Sequence, residues 1–232
     1  MHVPLNAPWI SEREKEYCRQ ALDEGWTTSA GRFVGQFEDA FAKYVCRKYA
    51  VSCSSGTAAL WLALKALGLR QGDRVLSQEY VCDAIAGAVM NVTGLAPYTV
   101  DCDAGGWNIV GHLVEDAVGQ HPEIKAVTFA HTYGVPARDT ERIVAFCKSR
   151  GVHVIEDGSE AHGAMIVGRR IGSFGDVSVF SMRGEKVLGA GQMGVVVTDD
   201  EKVASEAHSW AHNGLPVDAV RFWSNRPGLN FQ

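Results

Sequence analysis

Between residues 154 and 198 the chain carries three groups of complementary chemistry. Asp157 closes an apolar run in VIEDGSEAHGA, Ser181 closes another in VSVFS, and Lys186 lies in the glycine-rich stretch RGEKVLGAGQMG. A fourth group lies upstream, where Ser55, Gly56 and Thr57 stand between a strand-like run and a helical one. A lysine made nucleophilic by burial can form a Schiff base, and a carboxylate can keep a pyridine nitrogen protonated. A glycine turn opening a helix offers free N–H groups and partial positive charge to a phosphate, and a nearby hydroxyl adds a further donor. Together these are the groups that pyridoxal phosphate (PLP) chemistry needs. Each also has an ordinary explanation: Ser55 or Thr57 as a helix cap, Asp157 as a turn cap, Lys186 as a solvated cation, Ser181 as an exposed strand end. Their order along the chain carries more than any one of them.

Neighbours on a strand alternate, so Glu156 is expected to face away from Asp157. His131 (FAHTYG) and His162 (SEAHGA) follow apolar runs and could line the same crevice, although a lone histidine there is more often a hydrogen-bonded structural residue. The six cysteines, at 18, 46, 53, 82, 102 and 147, include no CxxC pair and no metal-ligand spacing with the histidines. Unpaired thiols and no metal site are the expectation.

Residues 11–24 read as a helix with Ser11 as cap and Glu14 at the capping-box position, and 32–44 as a second, with Phe33, Phe37 and Phe41 four apart. Strand-like runs follow at 49–53, 74–77, 97–103, 126–130, 152–157, 177–181 and 194–198, with helical stretches at 58–69, 84–92 and 140–150. Apolar strands alternating with helices predict an α/β fold, a mostly parallel sheet covered by helices on both faces. Ligands of such sheets gather at the carboxyl ends of the strands, where Asp157 is expected.

The 232 residues suffice for one large domain, and a net charge of −5 with no basic run argues against a nucleic-acid partner. No basic leader followed by an apolar core is visible, and no run approaches the ~18 apolar residues of a membrane span. A cytoplasmic protein without a membrane partner is expected.

Read together, these segments resemble the DegT/DnrJ/EryC1/StrS family of PLP-dependent nucleotide-sugar aminotransferases. SSGTAALWLAL is similar to the family's phosphate turn, HTYGVPAR to its HxYGxP segment, VIEDGSEAHGA to its aspartate motif and FSMRGEKVLGAGQMGVVVT to its lysine loop. GWTTSAGRFVGQFEDAFAKY resembles its substrate loop and helix, and WSNRPGLNFQ the segment carrying a G-x-N. The first and last of these are most similar to the GDP-perosamine synthase branch.

The resemblance implies a fold-type I large domain over residues 1–232, with the family's smaller C-terminal domain lacking a counterpart. It implies Lys186 as the Schiff-base lysine, Asp157 on the pyridinium nitrogen, and Gly56, Thr57 and Ser181 on the phosphate. Glu160 falls near the ring oxygen, and Tyr80 or Cys82 where an aromatic stacks on the ring. Trp26, Thr27 and Thr28 would meet the substrate. Asn230 would reach the phosphate of a neighbouring subunit in a homodimer. The implied activity is transfer of an amine from glutamate to a nucleotide-linked keto-sugar, a 4-keto-6-deoxyhexose in the branch named. A sugar dehydratase of the same family is the enzymatic alternative, though its members carry histidine where this chain has Lys186. A truncated, non-catalytic homologue is the other. The usual GEGG after the lysine reads Gly191-Gln192-Met193-Gly194 here, which puts a bulky side chain beside the loop.

Overall fold

The computed structural model describes residues 7, 9–28, 31–92, 94–215, 224 and 227–231. Helix α1 (Glu12–Asp23) begins at the expected capping box: Ser11 Oγ accepts from the Glu14 N–H, and the Glu14 carboxylate accepts from the Ser11 N–H. In α2 (Arg32–Tyr44) the aromatic stripe turns Phe41 into the core, where its ring meets Phe180 edge-on at 5.1 Å.

Seven strands form one sheet, in the order β1 (Tyr49–Cys53), β9 (Gly194–Thr198), β8 (Val177–Ser181), β5 (His153–Asp157), β4 (Ile124–Ala130), β2 (Arg74–Gln78), β3 (Ala96–Val100). Strands β8, β5, β4, β2 and β3 pair in parallel, and β9 runs antiparallel between β8 and β1. Every strand but β9 therefore ends at one edge of the sheet. The register fixes that edge: Cys53 and Ser181 both pair with Gly194, and Asp157 pairs with Ala130. Between β5 and β8 a small hairpin of β6 (Met165–Ile166) and β7 (Arg169–Arg170) covers one side.

Helices cover both faces, as the alternation predicts. On one face α3 (Gly56–Ala66), α4 (Ala84–Met90) and α7 (Glu201–Ala211) bury a cluster that includes Ile155, Val179 and Val196. On the other, α5 (Gly111–Gln120) and α6 (Thr140–Arg150) pack over Leu76, Val127 and Val154. The sequence reading passed over α5, α7 and the small hairpin; GHLVEDAVGQ and EKVASEAHSWA mix polar and small residues, so their periodicity is weak. The expected strand at 97–103 stops at Val100, and Cys102 continues only as a single bridge to Ile109.

At the end of β5, Ile155 and Val154 face opposite clusters, and Asp157 and Glu156 follow the same alternation. Glu156 is wholly buried on the α6 side. Its carboxylate accepts the N–H groups of Gly172, Phe174 and Gly175, the Ser178 hydroxyl at 3.1 Å and the His131 ring at 3.2 Å. His131 Nδ1 accepts the Ala137 N–H, so Nε2 carries the proton given to Glu156. Arg47 binds the same turn from the other side, donating to the carbonyls of Gly172 and Gly175 and pairing with Asp199 at 2.9 Å. The turn at 172–175 is thus held by its amides on one charge and its carbonyls on the opposite one.

Burial alone would raise the Glu156 pKa, but the His131 bond and the two loop amides outweigh it and hold the group below the ordinary carboxylate range. A depressed folded pKa gives stability that is fully present above the unfolded value of about 4.3 and lost as pH falls through the folded value. Glu156→Gln points an amide N–H at existing donors. It is expected to cost ~3–5 kcal/mol in denaturant unfolding at neutral pH, and to flatten the acid limb of the stability profile. A variant as stable as wild type would show that the turn is held by something else.

Candidate active site

A cavity of about 370 Å3 opens at the shared carboxyl edge of the sheet, lined by Ser55, Gly56, Thr57, Asp157, Ser181 and Lys186 among others. Three distant stretches of chain meet there because β1, β8 and β5 all end at this edge, with the start of β9 between β1 and β8. A larger hollow of about 530 Å3 lies at the opposite edge, where Arg47 and Asp199 already neutralise each other and Asp200 caps α7.

The turn that opens α3 forms one end of the cavity. Ser55 is the cap, its hydroxyl accepting the Ala58 N–H at 3.1 Å, so the N–H groups of Gly56 and Thr57 head the helix without an intrahelical acceptor. Glycine is required at two places here. A Cβ on Gly56 would stand 2.7 Å from Ser181 Cβ, and one on Gly194 would run into the Ser55 carbonyl. The turn is therefore drawn tight against β8 and β9, with the Ser181 hydroxyl beside it.

Asp157 lies at the other end and is 8% exposed. One carboxylate oxygen accepts the Ser159 N–H at 2.9 Å. Burial raises its pKa, and the Ser159 hydrogen bonds and the nearby Lys186 charge oppose that rise without cancelling it. Lys186 lies in the connection from β8 to β9, a loop tied by bonds from Met182 N–H to the Met193 carbonyl and from Gly184 N–H to the Gly191 carbonyl. Its Nζ stands 3.0 Å from Glu160 Oε1, and Glu160 Oε2 accepts the Tyr133 N–H at 2.7 Å. N–H and O–H donors, a buried carboxylate and an amine on the lining of one cavity fit in kind the phosphate, ring nitrogen and aldehyde of PLP.

Residues 8–232 match the DegT/DnrJ/EryC1/StrS aminotransferase family. The chain belongs to that family. GDP-perosamine synthase of Escherichia coli O157:H7 is 36% identical over 231 residues, covering 100% of this chain and 62% of the relative. An aminotransferase from Psychrobacter cryohalolentis superposes with a TM-score of 0.90 at 27% identity, over 98% of this chain and 60% of that one. NtdA of Bacillus subtilis, solved with its cofactor PMP bound, gives 0.83 at 28% identity, over 95% and 50%. The chain thus spans between half and two-thirds of the length of these relatives. Family and fold make PLP the cofactor, and the lining of this cavity fits it.

Within this family member several expectations are relocated. Tyr80 does not line the cavity; its ring packs on Trp107 at 4.8 Å and its hydroxyl meets that of Tyr133 at 3.2 Å. Val81 and Cys82, in the turn between β2 and α4, line the cavity instead. Trp26, Thr27 and Thr28 are exposed between α1 and α2 and do not line this cavity, and Ser29 and Ala30 of the same loop lie outside the described residues. Asn230 also lies away from it, bridging His212 beside the end of α7, with Phe231 against Trp61. Arg221, Phe222 and Trp223 of the tail fall outside the described residues. Met193 packs against the Phe41–Phe180 cluster rather than in the cavity, which Gln192 lines.

His131 lines the cavity, but both ring nitrogens are engaged in the Glu156 knot. His162 stands behind the wall, donating from Nε2 to the Ser181 carbonyl at 2.9 Å while burial lowers its pKa. The sequence reading did not single out Ser159, Thr132 or Arg183, all of which line the cavity. Only their closeness in sequence to Asp157, His131 and Ser181 hinted at them.

The placement of Cys82 makes a labelling prediction. Iodoacetamide modification of Cys82, followed by peptide mass spectrometry, should fall when PLP is bound, while the exposed Cys18 and Cys46 react as before. Equal labelling of Cys82 with and without cofactor would mean that the ring does not cover this wall.

Proposed function

We propose that this chain carries the catalytic core of an aminotransferase that moves an amine from glutamate to a nucleotide-linked keto-sugar, a 4-keto-6-deoxyhexose. The observation that carries this reading is the meeting of Lys186, Asp157 and the Gly56–Thr57 turn at one cavity in a chain whose relative is a GDP-perosamine synthase. When bound, PLP supplies an electron-accepting ring that makes a proton on the carbon of an attached amine removable.

The chain's own residues would do the rest. Lys186 Nζ would hold the cofactor and move the proton between donor and acceptor carbons. Asp157 would give the ring nitrogen a buried negative partner, an opposite charge being able to shift such a group by several units. The Gly56 and Thr57 N–H groups and the Ser181 hydroxyl would anchor the phosphate at the positive end of α3. Glu160 would set the direction of Lys186 and stand near the ring oxygen. Burial behind the α3 turn and the β8–β9 loop would keep water from these charges, which strengthens every contact among them.

The same reading takes residues 1–232 as the cofactor-binding large domain of a cytoplasmic homodimer. Asn230 would cross to the partner's phosphate and Trp26, Thr27 and Thr28 would meet the sugar or its nucleotide. An isologous interface permits this exchange because both subunits present the same patch.

Borohydride reduction with PLP present, followed by peptide mapping, should leave the pyridoxyl group on Lys186, and an adduct on another lysine would remove the basis of the reading. Asp157→Asn should keep the fold and lose most of the rate of the glutamate half-reaction. Incubation with glutamate and a panel of nucleotide keto-sugars, read by mass spectrometry, should yield an amino-sugar product. A panel in which no keto-sugar is aminated would refute the proposed substrate class.

A further inference from the structure

Among the described residues, the carboxylates and basic groups lining the cavity are Asp157, Glu160, Glu185, Arg183 and Lys186. The functional reading uses three of them: Lys186, Glu160 at 3.0 Å from its Nζ, and Asp157. Arg183 and Glu185 are left over, and they pair with each other, Arg183 Nε standing 3.3 Å from Glu185 Oε1.

The backbone sets this pair beside the amine. The Arg183 carbonyl accepts the Lys186 N–H at 2.8 Å, which folds 183–186 into one tight turn. Bonds from Gly184 N–H to the Gly191 carbonyl and from Ala190 N–H to the Met182 carbonyl hold the turn at the cavity. Arg183 is thus a second cation of the lining, three residues from the group that reacts.

The pair itself is loosely made. Its side chains are 64% and 49% exposed, and ion pairs in water contribute little. The contact runs through Nε, whereas a guanidinium can present a planar fork to a carboxylate and bind both of its oxygens. Glu185 is therefore a partner that a better-placed carboxylate can displace.

The proposed reaction creates a need for such an exchange. One cavity must accept glutamate, which brings two carboxylates, and then a keto-sugar, whose reacting ring carries hydroxyl groups and no carboxylate. A fixed, unpaired cation would suit the donor and be left without a partner under the sugar, which is costly once water is excluded. An internal carboxylate that can move aside removes that conflict.

From this arrangement we propose that Arg183 receives a carboxylate of the amino donor, and that Glu185 takes the place of that carboxylate while the sugar occupies the cavity. The assignment rests on the functional reading above, in which donor and sugar meet Lys186 in turn. Arg183 then favours donor binding and Glu185 competes with it, so the two halves of one ion pair act in opposite directions.

Calorimetric titration of glutarate, an unreactive dicarboxylate, into the PLP-loaded chain tests this, with thermal melting of each variant alongside. Arg183→Gln should weaken glutarate on the order of 10-fold, and Arg183→Lys should recover part of the loss. Glu185→Gln should tighten glutarate about 3-fold by removing the internal competitor. Melting temperature and the affinities for PLP and pyrophosphate should hold in all three variants. Unchanged glutarate affinity in Arg183→Gln, weakening in Glu185→Gln, or no glutarate binding by wild type would each overturn the assignment. So would a matching loss of PLP or pyrophosphate affinity, which would give Arg183 to a phosphate, or affinity lost only together with melting temperature. Borohydride mapping of the same samples separates the two failures. A missing Lys186 adduct in wild type overturns the functional reading itself, whereas an intact adduct with unchanged glutarate affinity overturns the Arg183 assignment alone.

Discussion

The end of strand β5 must bury one carboxylate to present another. Glu156 and Asp157 are neighbours on an extended chain, so their side chains leave on opposite faces, and no local adjustment changes that. Glu156 enters the interior, where an uncompensated charge would be prohibitive, and five donors gather around it. Those donors come from the end of β4, from the 172–175 turn and from β8. The knot therefore fixes the spacing of β4, β5 and β8 at the edge where the cavity forms. Arg47, in the connection from α2 to β1, binds the carbonyls of the same turn and ties the β1 end of the sheet to it.

Once that edge is set, the cavity follows from strand direction. Six strands end there and β9 begins there, so the connection from β8 back into β9 has to cross the opening. Lys186 rides on this crossing loop, which Met182, Gly184 and Ala190 hold by backbone bonds. The α3 turn closes the other side because β1 lies next to β9 and ends on the same rung. Close approach there tolerates no side chain at Gly56 or Gly194. An amine on a loop, a carboxylate on a central strand and N–H groups at a helix start are thereby brought together. The amine belongs to the loop, and the carboxylate and N–H groups belong to the sheet and helix.

The rim obeys a different logic. The two amide hydrogens of Gln78 are shared among acceptors on three segments, and the backbones of Trp107 and Tyr133 are held in conformations that side chains disfavour. Energy stored in that way is maintained by the packed core beneath, with Leu76, Val127 and Phe129 fully buried around the strand ends. The interior thus supports both the charged floor of the cavity and the strained aromatic edge.

Much of this was legible in the amino-acid order alone. The capping box of α1, the Phe33–Phe37–Phe41 stripe, the alternation of strands and helices and the roles open to Gly56, Asp157, Ser181 and Lys186 all arise from local patterns, because helix and strand periods act over a few residues. Family membership was equally legible, since it rests on several motifs in order. The tertiary structure alone decided which of Tyr80 and Cys82 faces the cavity, that Met193 serves the core, and that the 26–28 loop stands apart from the site. It also decided that Glu156 binds a turn still uncounted in the local pattern and that three rings from separate segments share one buried glutamine. These depend on strand order and register, which bring residues far apart in sequence onto one rung. A one-residue slip would exchange the faces of Glu156 and Asp157. Local propensity does not encode that register; the packing of both faces of the sheet does.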